Sequence, residues 1–233
     1  MSKLPILMYH NINPAPEKSS GLCISVEKFE QQCAYIQKKY TTYHFSELEN
    51  RQSLTTKSLI ITFDDVTENQ LLYAVPILEK YNLKATFFIP FAYVGATDLW
   101  NNGTEKIMTV AQLKRLPKNI ELGLHSYHHK KYSSLTTDEI QADFEACFDW
   151  IKHENIAVFN ALAYPYGNYP KKKPLKNLFF KQLQQNNMVY GLRIGNKLNK
   201  FPFKNPFEIK RLDIKGDYSF VKFWLKITFG KFF

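Results

Sequence analysis

The sequence predicts an α/β fold: a single domain closed as a distorted, seven-stranded (β/α) barrel. Three observations predict it. Seven short apolar, β-rich runs recur along the 233 residues. Stretches with helical spacing lie between most of them. The polar residues able to do chemistry sit where those runs end. Seven units over this length give about 33 residues each, the size of one βαβ step. A chain that is 45% hydrophobic can bury the core such a barrel needs. An open, doubly wound sheet is the alternative closure of the same alternation.

The strands are expected at "LPILMY" (4–9), "SLIITF" (58–63), "KATFFI" (84–89), "IELGLH" (120–125), "FNALAY" (159–164), "NMVYGL" (187–192) and "FEIKRLD" (207–213). The first helix is expected in "SVEKFEQQCAYIQKKY". Ser25 is a plausible N-cap there, with Lys28 where a capping-box acid would sit. A second follows in "TENQLLYAVPILEKYN", where Pro76 predicts a kink. The clearest helix starts near Thr137 or Asp138 and carries Ile140, Phe144, Phe148 and Ile151 along one stripe. In a parallel barrel the active site forms at the C-terminal ends of the strands. Here those ends carry His10, Asp64 with Asp65, His125, the Pro165–Tyr166–Gly167 turn, Arg193, and Arg211 with Asp213.

In "IITFDDVTENQ", Asp64 and Asp65 end an apolar strand. Adjacent carboxylates repel and lose hydration when buried, so a metal ion or a separate task for each acid must offset the cost. In "LHSYHHKKYSSL", a loop curling into a helical turn would bring His129 beside His125, leaving His128 outward. Two histidines and one carboxylate leave coordination positions open and suit zinc or another divalent first-row ion. "ALAYPYGNYPKKKP" predicts a rigid loop in which Pro165 and Gly167 meet substrate and the Tyr166 N–H can face a developing oxyanion.

Together "TFDD", "HSYHH" and "AYPYG" resemble the polysaccharide deacetylase family, carbohydrate esterase family 4 or NodB homology domain. The likeness runs from "LMYH" to "RLDIKGDYS", and residues 1–233 are read as one such domain. It implies a distorted seven-stranded βα barrel and a metal-dependent N-deacetylase. Asp64 would be the general base. Asp65, His125 and His129 would hold a divalent metal, most plausibly Zn, with Co, Mn or Ni as alternatives. Tyr166 would supply the oxyanion-hole amide. The chain departs from the family pattern at three places. Val66 replaces the usual Gly, implying a less strained turn. Ala163 replaces an orienting Arg. No histidine stands in the last motif. His10 is expected to protonate the leaving group, and Arg211 or Asp213 to compensate for the missing Arg or to touch substrate.

The formal net charge is +10, which favours anionic partners. No RNA- or DNA-binding pattern accompanies it, so no nucleic-acid partner is expected. Cys23, Cys33 and Cys147 form no CxxC pair. No export signal or membrane span is read, which points to the cytoplasm. Residues 217–233 are expected as a basic, aromatic helix suited to a membrane surface. Lys171, Lys172 and Lys173 could hold a phosphate near the site. These features suggest a lipid-linked N-acetylated amino sugar, such as undecaprenyl-phosphate N-acetylgalactosamine for lipid A modification, handled at the inner membrane's cytoplasmic face. Alternatives are a deacetylase of poly-N-acetylglucosamine, peptidoglycan or chitin oligomers, and a silent sugar-binding relative.

Overall fold

The computed structural model describes residues 2–230. Seven parallel strands close into one barrel: β1 (Ile6–Tyr9), β2 (Ser58–Asp64), β3 (Ala85–Ile89), β4 (Ile120–Leu124), β5 (Ala161–Ala163), β6 (Tyr190–Ile194) and β7 (Ile209–Asp213). β1 pairs with β7 on one side and β2 on the other, which closes the ring. The distortion sits between β4 and β5, which share the single register pair Leu124↔Leu162. Every expected strand is present within a few residues, because barrel strands bury both faces and read as unbroken apolar runs.

Alternation along the strands divides the core. Ile6, Ile60, Phe88, Ala161, Leu192 and Ile209 fill the interior. Leu7, Ile61, Phe63, Phe87 and Ile89 face the surrounding helices. The same period of two carries Asp64, four residues beyond Ile60, to the interior side at the barrel mouth.

Helix α1 (Val26–Lys39) starts at Ser25, whose side chain accepts from the Lys28 N–H. A π-turn at Gln70–Ala74 runs into α2 (Val75–Lys80), so Pro76 falls at a junction of helix types. Two helices escape the periodicity reading: α3 (Val110–Lys114), a single turn, and α5 (Leu175–Gln185), which begins at Pro174 with no side-chain cap. α4 (Thr137–Glu154) is capped one residue earlier than expected, by Thr136 in a reciprocal box with Glu139. α6 (Phe220–Phe229) is capped by Ser219. It covers part of the expected 217–233 helix, and residues 231–233 lie outside the described residues. Among the described residues, no helix is long and apolar enough to cross a membrane.

Candidate active site

A cavity of about 650 Å³ opens at the C-terminal mouth of the barrel. Asp64, Asp65, His125, His129, His10 and Tyr166 all line it. Asp65 Oδ1 lies 3.5 Å from both His125 Nε2 and His129 Nε2. Two atoms each about 2.0–2.1 Å from a tetrahedral ion would stand roughly 3.3 Å apart. Asp65 Oδ1 is buried without a partner. Burial, with Asp64 and Asp98 near, pushes its carboxyl well above the usual range. A cation among these three atoms would satisfy that oxygen. Burial lowers His125 to about 4 and His129 to about 2, so both rings are neutral at pH 7 and present lone pairs. His125 donates through Nδ1 to the Ala163 carbonyl at 2.7 Å, which leaves Nε2 free to ligate. The residues present therefore fit a divalent ion.

The loop that returns His129 is not a helical turn. It reverses through left-handed backbone at Ser126 (φ 64°) and His129 (φ 52°). Asp143 of α4 grips it, accepting from the N–H groups of Tyr127 and His128 and from the Tyr132 hydroxyl. His129 lies between the stacked ring of Trp100, at 4.0 Å, and the edge of Tyr166, at 4.9 Å.

The turn after β2 is strained, against the expectation from Val66. Asp65 has φ 77° and Val66 φ 43°. A β-branched residue in that region is an outlier. Its surroundings impose the conformation: Val66 is fully buried, its carbonyl accepts from Met108, and the Asp65 N–H donates to Phe88.

Asp64 is clamped by Arg211, whose Nη1 and Nη2 reach its two oxygens at 2.5 and 2.7 Å. Burial alone would raise the Asp64 carboxyl, but the charge and hydrogen bonds of Arg211, with His125 and His10 nearby, together outweigh it and hold the group well below the carboxylate range. Arg211 comes from the interior face of β7, is fully buried, and lies over Phe88. This two-point clamp fixes the orientation of Asp64, and the complete burial of Arg211 leaves it no exposed surface for the substrate contact expected of it. His10 Nε2 lies 3.8 Å from Asp64 Oδ2. Burial lowers its pKa despite that neighbour.

Other expected contacts resolve differently. Asp213 and Gly167 line the cavity, whereas Pro165 is buried and is not among its lining residues. Lys171, Lys172 and Lys173 are exposed and do not line it. Neither lysine nor arginine is among its lining residues, while Asp64, Asp65, Asp98, Glu105 and Asp213 are. That acid lining leaves no cationic seat for a phosphate inside. Arg193 points outward, since Ile194 takes the inward position on β6. Sequence reasoning missed Trp100, Asp143 and Gln70. Gln70 Nε2 donates to the carbonyls of His10 and Asp64 and ties two strand ends together. The π-turn that places Gln70 has no period of its own in the sequence.

The fold and this cluster define a class: a parallel βα barrel with two histidines and one carboxylate at its mouth, beside a second, clamped acid. A sequence profile of the polysaccharide deacetylase family matches residues 51–181, and the chain belongs to that family. It is 29% identical to YxkH of Bacillus subtilis (strain 168) over 72% of its own length, and spans 58% of that relative. It is 24% identical to the poly-beta-1,6-N-acetyl-D-glucosamine N-deacetylase of Staphylococcus epidermidis over 95% of this chain and 79% of that protein. Among solved structures, Streptococcus pyogenes deacetylase PplD in complex with acetate superposes with a TM-score of 0.79 at 23% identity, over 97% and 98% of the two chains. IcaB from Ammonifex degensii gives 0.77 at 20% identity, over 93% and 94%. These two likenesses show the shared barrel.

Proposed function

We propose that the chain is a metal-dependent N-deacetylase of N-acetylated hexosamine units, acting on a polymer or oligomer such as poly-N-acetylglucosamine. One observation carries this: Asp65, His125 and His129 converge around an orphaned carboxylate oxygen while Asp64, next in sequence, is held out of that set by Arg211. A divalent ion there, zinc by the donor set, would polarise the acetamide carbonyl and acidify water. Asp64 accepts the proton of the attacking water. Its low basicity favours quick release, and His10 stands 3.8 Å away. His10 is neutral at pH 7, so it donates to the leaving nitrogen only after receiving that proton. Tyr166 sits inside the turn Pro165–Gly167 in left-handed backbone (φ 58°), and its N–H serves the oxygen that gains charge. Trp100, Tyr166 and Leu22 give the cavity apolar walls for sugar faces.

Acetate release tests the proposal. The zinc-loaded protein should release acetate from β-1,6- or β-1,4-linked N-acetylglucosamine oligomers and lose the activity to a chelator. His10→Gln should keep the metal and lower kcat about 100-fold. No acetate from any acetylated oligomer would reject it.

A second reading rests on α6, where Val221 and Trp224 are exposed beside Lys222. Apolar and cationic residues together suit an anionic membrane surface. A lipid-linked N-acetylhexosamine at the cytoplasmic membrane face would then be the substrate, its phosphate held outside the acid-lined cavity. Activity on undecaprenyl-phosphate N-acetylhexosamine but not on oligomers would favour this reading.

A further inference from the structure

The barrel flank between β6 and β7 is built unlike the others. Each earlier strand is followed by a helix, but residues 195–208 return through a short strand, Asn199–Phe201, and a proline-containing loop. Behind them lies a cleft of about 940 Å³, walled by Phe180 and Phe203 and lined by Arg193, Lys200, Lys204 and Lys210. Among the described residues, none of these four cations makes an ion pair. Glu208, also in the cleft, is already taken by Lys176, Tyr169 and Asn205.

The cations are arranged against one another. Arg193 and Lys210 are direct partners across β6 and β7. Both pack over Gly195, where an added Cβ would meet Lys210 Cγ at 2.7 Å and Arg193 Nη1 at 3.3 Å. Lys200 is in turn opposite Lys3 on the antiparallel pair Ser2–Leu4 with Asn199–Phe201. Like charges directly opposite destabilise a sheet, and two such pairs border this one cleft. Arg193 donates from Nη1 to the Ile194 carbonyl, while its Nε is buried without a partner. The segment is also fixed: the Asn199 side chain bonds both the N–H and the carbonyl of Lys210. A rigid cleft lined by four cations that make no ion pair among the described residues, with the one nearby carboxylate, Glu208, held by Lys176, is suited to an anion. A guanidinium edge beside ammonium groups matches phosphate oxygens.

We propose that this cleft binds a phosphate-bearing anionic ligand, either free or as a lipid headgroup. It lies on the opposite face of β6 from the catalytic cavity, since Ile194 lines that cavity and Arg193 this cleft. The proposal therefore stands apart from the deacetylase reading.

Calorimetric titration with inorganic phosphate, and sedimentation with phosphatidylglycerol against phosphatidylcholine vesicles, test it on the full chain. Wild type should bind at least one of the two phosphate probes saturably. R193Q/K210Q should weaken that binding at least tenfold. K171Q/K172Q/K173Q, which removes more charge elsewhere, should leave it unchanged. K210Q alone spares the Arg193 packing and should raise Tm without ligand while weakening binding. Binding to phosphatidylglycerol vesicles that the double variant loses would assign the phosphate to a lipid. Saturable binding of inorganic phosphate without vesicle binding would assign it to a soluble ligand. R193Q/K210Q should still release acetate from oligomers at the wild-type rate, which keeps the two proposals separable. Wild type binding neither probe, undiminished binding by R193Q/K210Q, or equal loss in the Lys171–Lys173 variant would overturn the proposal.

Discussion

Arg211 decides what Asp64 can do, and it reaches Asp64 from 147 residues away. Both groups are buried, so removing one partner strands a charge. Arg211→Met should therefore cost about 3–5 kcal/mol, less whatever Asp64 recovers by taking up a proton. Asp64→Asn with Arg211→Met should regain most of that stability and none of the activity. Urea unfolding and acetate release measure the two effects separately. The pH dependence has a definite sign. Asp64 sits below its unfolded value of about 3.9, so its contribution is full above that pH and is lost as pH falls further. Arg211→Met should flatten the acid limb of the stability profile. Val66 shows the limit of residue-level reading. Its identity argues for an ordinary turn, but φ 43° is imposed by Met108 and by complete burial, neither of which lies nearby in sequence.

At the scale of elements, the seven strands were legible because each is a short apolar run with a polar residue at its end. The positions of Asp64, Asp65, His125 and His129 followed from those ends. The supports behind them were not legible, because they come from contacts rather than periods. Asp143 belongs to the stripe-bearing helix α4 yet serves the loop of His125 and His129. Asp143→Ala should weaken zinc binding about 10–100-fold while the far-ultraviolet circular dichroism stays unchanged. Asp143→Asn keeps an acceptor for the two N–H groups and should recover most of the affinity. On α6, the buried Lys226 shows that not every residue of a basic, aromatic helix faces solvent. Burial lowers its pKa to about 8, and its Nζ donates to the Tyr218 hydroxyl at 3.0 Å. A lysine depressed this way costs stability while the unfolded chain holds the proton more tightly. Stability should therefore rise with pH between about 8 and the unfolded value near 10.4. Lys226→Met should stabilise the protein at pH 7 by roughly 1 kcal/mol after loss of the Tyr218 bond. The gain should fade as pH approaches 10, read from Tm against pH.

The whole molecule joins a basic exterior to an acid-lined mouth, and ring closure is what brings the acids together. Asp64 and Asp65 leave β2, His125 and His129 follow β4, and Asp213 ends β7, so no local segment holds the site. The overall charge of +10 gave no hint of this lining, since composition does not say which side chains the barrel turns inward. A ligand that needs residues 65, 125 and 129 together binds the closed barrel and not the unfolded chain. Its binding free energy then adds to global stability. At 100 times its dissociation constant, zinc should add about 2.7 kcal/mol. For a chain of this size that is a rise in Tm of roughly 5–10 °C. Asp65→Asn removes the anionic donor along with the buried charge that Asp64 and Asp98 oppose. It should melt no lower than the chelated wild type and should lose the zinc response. The pattern expected in differential scanning calorimetry is thus one transition that moves up with zinc in the wild type and stays put in the variant. A wild-type transition indifferent to zinc would show that the three side chains converge without holding an ion.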